Sequence, residues 1–193
     1  MKSVCVFCGS HPGYDPTYAR AARALGETLA GAGIELVYGG GHVGLMDAVA
    51  DATLAAGGEV TGIMPKALVD REIAHTSLTR LHVVGSMHER KAMMSELSEG
   101  FVALPGGSGT LEEFFEVLTW AQLGEHGKPC GLLNIAGYYD PLLAVFDHMV
   151  DRGFLNEKHR AMVLVESEPT AMLAKFEEYR PPKIAKWIDS SET

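Results

Sequence analysis

The chain has 193 residues and a mass of 20.7 kDa, and its 47% hydrophobic and 21% charged residues provide a full core and exclude intrinsic disorder. Sixteen Lys and Arg against twenty-five Asp and Glu leave a net charge of −9 and a pI near 5.3, so no overall field attracts nucleic acid or anionic membrane, and an anionic ligand needs a local site. Three cysteines make no disulfide framework, no apolar run reaches the ~18 residues of a membrane span, and the opening MKSVCVFCGS is too short for a signal-peptide core, all of which predicts a soluble cytoplasmic protein.

The first strand is expected over 3–8, with Cys5 and Cys8 on opposite faces as small buried hydrophobes rather than a redox or metal pair. Asp15-Pro16 then reads as an N-cap followed by proline at the first helical position. Tyr18, Ala21, Ala22, Leu25 and Leu29 recur at helical spacing until Gly31 and Gly33 stop the run. A strand over 34–38 leads through Gly39-Gly40-Gly41 into a helix over 44–56, and a further strand follows over 59–63. Residues 64–79 read as one long irregular stretch, a lid or binding loop. Strands over 80–84, 100–104, 129–134 and 162–165 alternate with helices over 86–98, 109–123 and 169–179, and with one opened by Asp140-Pro141. This alternation predicts an α/β fold: a Rossmann-like, doubly wound, mainly parallel sheet of about seven strands with helices on both faces. It forms one domain over 1–180. Pro181-Pro182 introduces a tail over 181–193, whose Ile184, Trp187 and Ile188 suggest docking on the body or on a second subunit.

Two glycine-rich turns run from a strand into a helix. In the first, Gly39, Gly41 and Gly44 satisfy G-x-G-x-x-G, but the next strand ends Gly62-Ile63-Met64 without the acidic residue that would hold a ribose, which argues against a dinucleotide. The second reads Pro105-Gly106-Gly107-Ser108-Gly109-Thr110-Leu111-Glu112-Glu113, with Ser108 or Thr110 expected to cap the helix or meet a phosphate oxygen. It lacks the Gly-Lys-[Ser/Thr] of a nucleoside-triphosphatase loop. Two such turns at strand C-terminal ends predict a phosphate site at the crest of the sheet.

Charged residues near these turns suggest chemistry. Glu112, Glu113 and Glu116 share the face opposite Leu111, Phe114, Phe115 and Leu118. They are either a solvated, dipole-matched face or carboxylates that act on the ligand. Arg90 falls within the stripe Met87, Met94 and Leu97, where a buried guanidinium requires a carboxylate or phosphate opposite it, with Lys91 a second positive charge at its edge. The eight histidines show no i,i+4 pair and no cluster with Cys or Asp, so the spacing indicates no metal site.

Taken together, PGGSGTLEE, Met87-His88-Glu89-Arg90-Lys91, Tyr38-Gly39-Gly40-Gly41 and Cys8-Gly9-Ser10 closely resemble the LOG ("Lonely Guy") family, cytokinin riboside 5′-monophosphate phosphoribohydrolases, in the same order over residues 3–165. Such chains often carry the label lysine decarboxylase, yet nothing in these residues indicates a pyridoxal phosphate site. The resemblance implies hydrolysis of the N-glycosidic bond of an N6-modified AMP by a homodimer without cofactor, metal, nucleic-acid or membrane partner. It implies Arg90 and Glu113 as catalytic residues. Substrate and phosphate contacts are implied at Gly9, Ser10, Gly40, Gly41, Glu72, Met87, Lys91, Gly106, Gly107, Ser108, Gly109, Thr110, Glu112 and Thr119. The alternatives are a nucleosidase acting on plain AMP and a non-catalytic carrier of a nucleotide or molybdenum cofactor.

Overall fold

A computed structural model of the chain describes residues 1–70 and 74–182. Seven strands, β1 (Ser3–Phe7), β2 (Glu35–Tyr38), β3 (Val60–Pro65), β4 (Arg80–Val84), β5 (Phe101–Ala103), β6 (Cys130–Leu133) and β7 (Val163–Glu166), form one sheet in the order β4-β3-β2-β1-β5-β6-β7. Every neighbouring pair is parallel, with Cys5, for example, opposite both Val37 and Phe101. The expected doubly wound α/β sheet is therefore present and wholly parallel.

The strands are near-continuous apolar runs because both faces are covered. Side chains alternate across the sheet, so Val4, Val6 and Cys8 enter one core and Cys5 and Phe7 the other. The first core is closed by α1 (Pro16–Gly31), α2 (Gly44–Ala55) and α8 (Pro169–Glu178), through residues such as Leu25, Leu29, Val49 and Phe176. The second is closed by α4 (Met87–Glu96), α5 (Ser108–Gln122) and α6 (Asp140–Asp151), through Met94, Phe114, Leu118 and Phe146. Burying a side chain of this size contributes about 1.5–3 kcal/mol.

Local signals place some of the helix starts. Asp15 caps α1 by accepting from the Thr17 N–H at 2.8 Å, and Ser86 caps α4 by accepting from Glu89 N–H at 3.1 Å. Asp140 instead lies inside α6, its carboxylate taken by Asn134 Nδ2 at 2.7 Å, with Tyr139 in the cap position. The stretch 64–79 is shorter as a loop than expected: β3 runs to Pro65, α3 (Lys66–Val69) follows, and Ala74 forms a bridge with Gly41. A four-residue helix, α7 (Glu157–Arg160), precedes β7 and was too short to leave a periodic signal. On α4 only Met94 is buried, whereas Met87 and Leu97 are exposed, so the predicted apolar stripe is not a core face along its length. Glu72 and the tail beyond residue 182 lie outside the described residues.

Candidate active site

Chain connections leave β1 in opposite directions, toward β2 on one side and, after β4, to β5 on the other. Loops diverge at such a switch point and open a crevice at the strand C-termini. Here the cleft measures about 290 Å³ and is lined by residues 9–13, Tyr18, Leu45, residues 105–107 and Tyr138. Its walls are tied together through backbone: Gly9 N–H donates to Pro105 O at 3.1 Å, and Leu45 N–H donates to Gly9 O at 3.0 Å. Gly106 has no room for a side chain, since a Cβ there would overlap the side chain of Thr110 and stand 2.8 Å from Gly9 N.

Helix α5 starts directly from this turn. Its N-cap is Gly107, so neither Ser108 nor Thr110 supplies the expected cap; Thr110 is buried beneath the turn, and Ser108 and Gly109 are exposed. A first turn without a side-chain cap leaves backbone N–H donors and the positive end of the helix dipole for an anion. Two tyrosines brace the turn: Tyr138 O–H donates to Gly106 O and Tyr139 O–H to Leu104 O, each at 2.6 Å. Tyr18 meets Tyr138 edge to face at 5.7 Å. Tyr138 and Tyr139 escaped the sequence reading, where the only nearby signal was the helix start that follows them, and Tyr18 was read there only as part of the apolar face of α1.

Five residues further along α5, about 7.5 Å along its axis, stands Glu113. Its carboxylate faces Arg90 of α4, Oε1 to Nη2 at 3.6 Å, with the two side chains only 14% and 12% exposed. The buried guanidinium thus has the carboxylate that its place in the sequence demanded, yet Arg90 Nε is buried without a hydrogen-bond partner. An unsatisfied buried donor is costly and calls for an acceptor. Burial pushes the Glu113 carboxyl above the usual glutamate range, opposed chiefly by Arg90. The three glutamates separate: Glu112 is exposed, and with Glu116 it holds Lys91, at 2.5 and 3.1 Å. Lys91 therefore bridges two carboxylates rather than adding a free positive charge to the cleft.

The first glycine turn packs inward. Gly39, Gly40 and Gly41 are buried and do not line the cleft. Gly40 O accepts from His75 N–H at 2.9 Å and Gly41 O from Tyr38 O–H at 3.3 Å, while Gly39 leaves space that Arg90 occupies. Ser10 lines the cleft, whereas Arg90, Glu113, Met87 and Thr119 do not. Thr119 is exposed and donates to Phe115 O at 2.7 Å. The histidines, which showed no ligand pattern in sequence, are partly gathered: His42, Asp47 and His75 converge among the described residues, across separations that carry no local pattern.

The family model described as "Possible lysine decarboxylase" matches residues 46–176. A protein of Oryza sativa subsp. japonica, named probable cytokinin riboside 5′-monophosphate phosphoribohydrolase LOGL5, is 50% identical over 182 residues, covering 94% of this chain and 74% of the relative. The chain belongs to the LOG family. A second LOG relative, the cytokinin riboside 5′-monophosphate phosphoribohydrolase of Rhodococcoides fascians, is 51% identical over 165 residues, covering 85% of this chain and 83% of that protein. The LOG fold is also that of the molybdenum cofactor binding protein from Rippkaea orientalis, with a TM-score of 0.70 at 22% identity over 92% of this chain and 97% of the other. At that identity the likeness is one of fold.

Proposed function

We propose that this LOG protein hydrolyses the N-glycosidic bond of a cytokinin riboside 5′-monophosphate, an N6-modified AMP, giving free base and ribose 5-phosphate. The observation that carries the reading is the buried Arg90–Glu113 pair, whose glutamate stands on the helix that the uncapped turn opens. Cleavage builds positive charge on the ribose as the bond to the base lengthens. A carboxylate fixed in a poorly solvated position stabilises such charge without reorganisation. Glu113 takes that role, and Arg90 keeps it ionised against the effect of burial. The 5′-phosphate sits against Gly106–Thr110 at the start of α5, and Ser10 and Gly9 close the opposite wall. Water adds to the ribose carbon and the base departs with a proton.

The protein acts as a homodimer in the cytoplasm on this reading. Met87, Leu97 and Leu123, at the ends of α4 and α5, are large apolar side chains left exposed, as residues that a second copy covers would be. Cys5, Cys8 and Cys130 are free and buried, in keeping with a reducing compartment. Among the described residues no helix is long and apolar enough to cross a membrane.

Product analysis with AMP, isopentenyl-AMP and isopentenyl-adenosine in separate reactions tests the activity. Free base and ribose 5-phosphate from the modified nucleotide, with little base from the nucleoside, is the expected result, and the AMP reaction ranks base preference. Tight nucleotide binding with no base released would point to a carrier instead. Sedimentation of the purified protein tests the dimer.

A further inference from the structure

On the far side of the first glycine turn lies a cluster that the hydrolytic chemistry does not use. His42 follows Gly41, Asp47 stands in the first turn of α2, and His75 follows the bridge between Ala74 and Gly41. One donor atom from each of these three side chains lies within 4.8 Å of the others. His75 is 4% exposed, and its ring meets that of His42 edge to face. Asp47 Oδ1 is buried and accepts no hydrogen bond, although His42 Nδ1 is 2.5 Å away. A buried carboxylate oxygen met by an imidazole nitrogen without hydrogen-bond alignment is a position that a cation can fill.

We propose that His42, Asp47 and His75 form a site for a divalent late first-row cation, Zn²⁺ by the donor set, which fastens the chain around residue 75 to the turn after β2. Two imidazoles and a carboxylate suit Zn²⁺, leaving a fourth position for water. Tetrahedral donors bonded to the metal at about 2.0–2.1 Å stand about 3.3 Å apart, so His42 Nδ1 must move back from Asp47 Oδ1 to admit the ion, which it can because the His42 side chain is 59% exposed. His75 is already held at both ring nitrogens: Ser77 N–H donates to Nδ1 at 3.2 Å, so Nε2 carries the hydrogen and faces Asp51 Oδ1 at 3.0 Å. Coordination exchanges one of these bonds for the metal, and Asp51 then steadies the ring as carboxylates do around metal-bound histidine. The present clasp of this segment is the His75 N–H bond to Gly40 O and the Ala74 bridge. A metal adds a side-chain fastening across the same seam.

The test is calorimetric titration of the chelator-stripped, full-length protein with Zn²⁺ alone, beside His42→Ala, His75→Ala and Asp51→Asn. One saturable ion per chain is expected, lost in His42→Ala and His75→Ala and weakened about 10–100-fold in Asp51→Asn. Zn²⁺ should raise the Tm of the wild type and leave that of His42→Ala unmoved. Because His42 is exposed, its variant keeps the fold, which circular dichroism checks. Absence of saturable binding, or binding unchanged in His42→Ala, overturns the proposal whatever the hydrolytic activity turns out to be.

Discussion

The Cβ that Gly39 lacks would fall on the guanidinium of Arg90, so the end of β2 and the middle of α4 share one space. Gly39→Ala should therefore push Arg90 away from Glu113 with neither of those residues substituted. Misplacement of a catalytic group by about 1 Å can lower turnover about 100-fold, and that is the expected fall in kcat. Steady-state kinetics beside thermal melting checks it; wild-type kcat in a folded Gly39→Ala protein would remove Arg90 from the mechanism.

Glu113→Gln should lower kcat about 100-fold or more while nucleotide binding persists. Its stability effect has the opposite sign. A carboxyl whose pKa is raised by folding contributes stability below its unfolded pKa and loses that contribution as pH rises through the folded value. At neutral pH the ionised side chain is thus a burden that glutamine removes. The Tm of Glu113→Gln should equal or exceed that of the wild type at pH 7, with the two converging in acid. A lower Tm at neutral pH would mean that the pair with Arg90 outweighs burial.

The same carboxyl sets the acid limb of kcat/KM, which should lie above the ordinary glutamate range because Glu113 must be ionised to act. Lys91 lowers its pKa and Glu112 raises it. Lys91→Met should accordingly move the acid limb to higher pH, and Glu112→Gln should move it lower. Profiles that fail to separate in these directions would place the controlling proton elsewhere.

Tyr138 and Tyr139 make matching bonds to the β5–α5 turn from different depths. Tyr139→Phe strands the buried Leu104 carbonyl and should reduce stability by about 1–3 kcal/mol, read by denaturant unfolding. Tyr138→Phe releases Gly106 at the exposed cleft, so a raised KM with little change in Tm is expected. Equal losses of stability in both variants would argue against a binding role for Tyr138.

What the sequence revealed depended on locality. The turn before α5 was legible because its glycines, its strand and its helix are contiguous, and Arg90 was legible as a charge among apolar neighbours. That second inference, which called for a carboxylate or a phosphate opposite Arg90, came through a stripe that is only partly a core face, since Met87 and Leu97 are exposed. Gly39 was recognised as a turn glycine, yet its use as space for a guanidinium from α4 depends on tertiary packing. The same is true of His42 and His75, which join across thirty-odd positions of chain, and of Tyr138 beneath Gly106. Pairings of that kind have no periodicity to read.

The position of β1 at the centre of the sheet bears on how the protein is made. Its partner β2 follows at once in the chain, but its other edge stays open until β5 arrives, after β3 and β4 have been laid down on the far side. During synthesis the N-terminal strands can pair in sequence while one flank of β1 waits for residues 101–103. The cleft forms later still, because Tyr138 must also have left the ribosome. A nascent chain stopped before that point would carry β1 through β5 and the turn before α5, but the tyrosine that braces that turn at Gly106 would be missing.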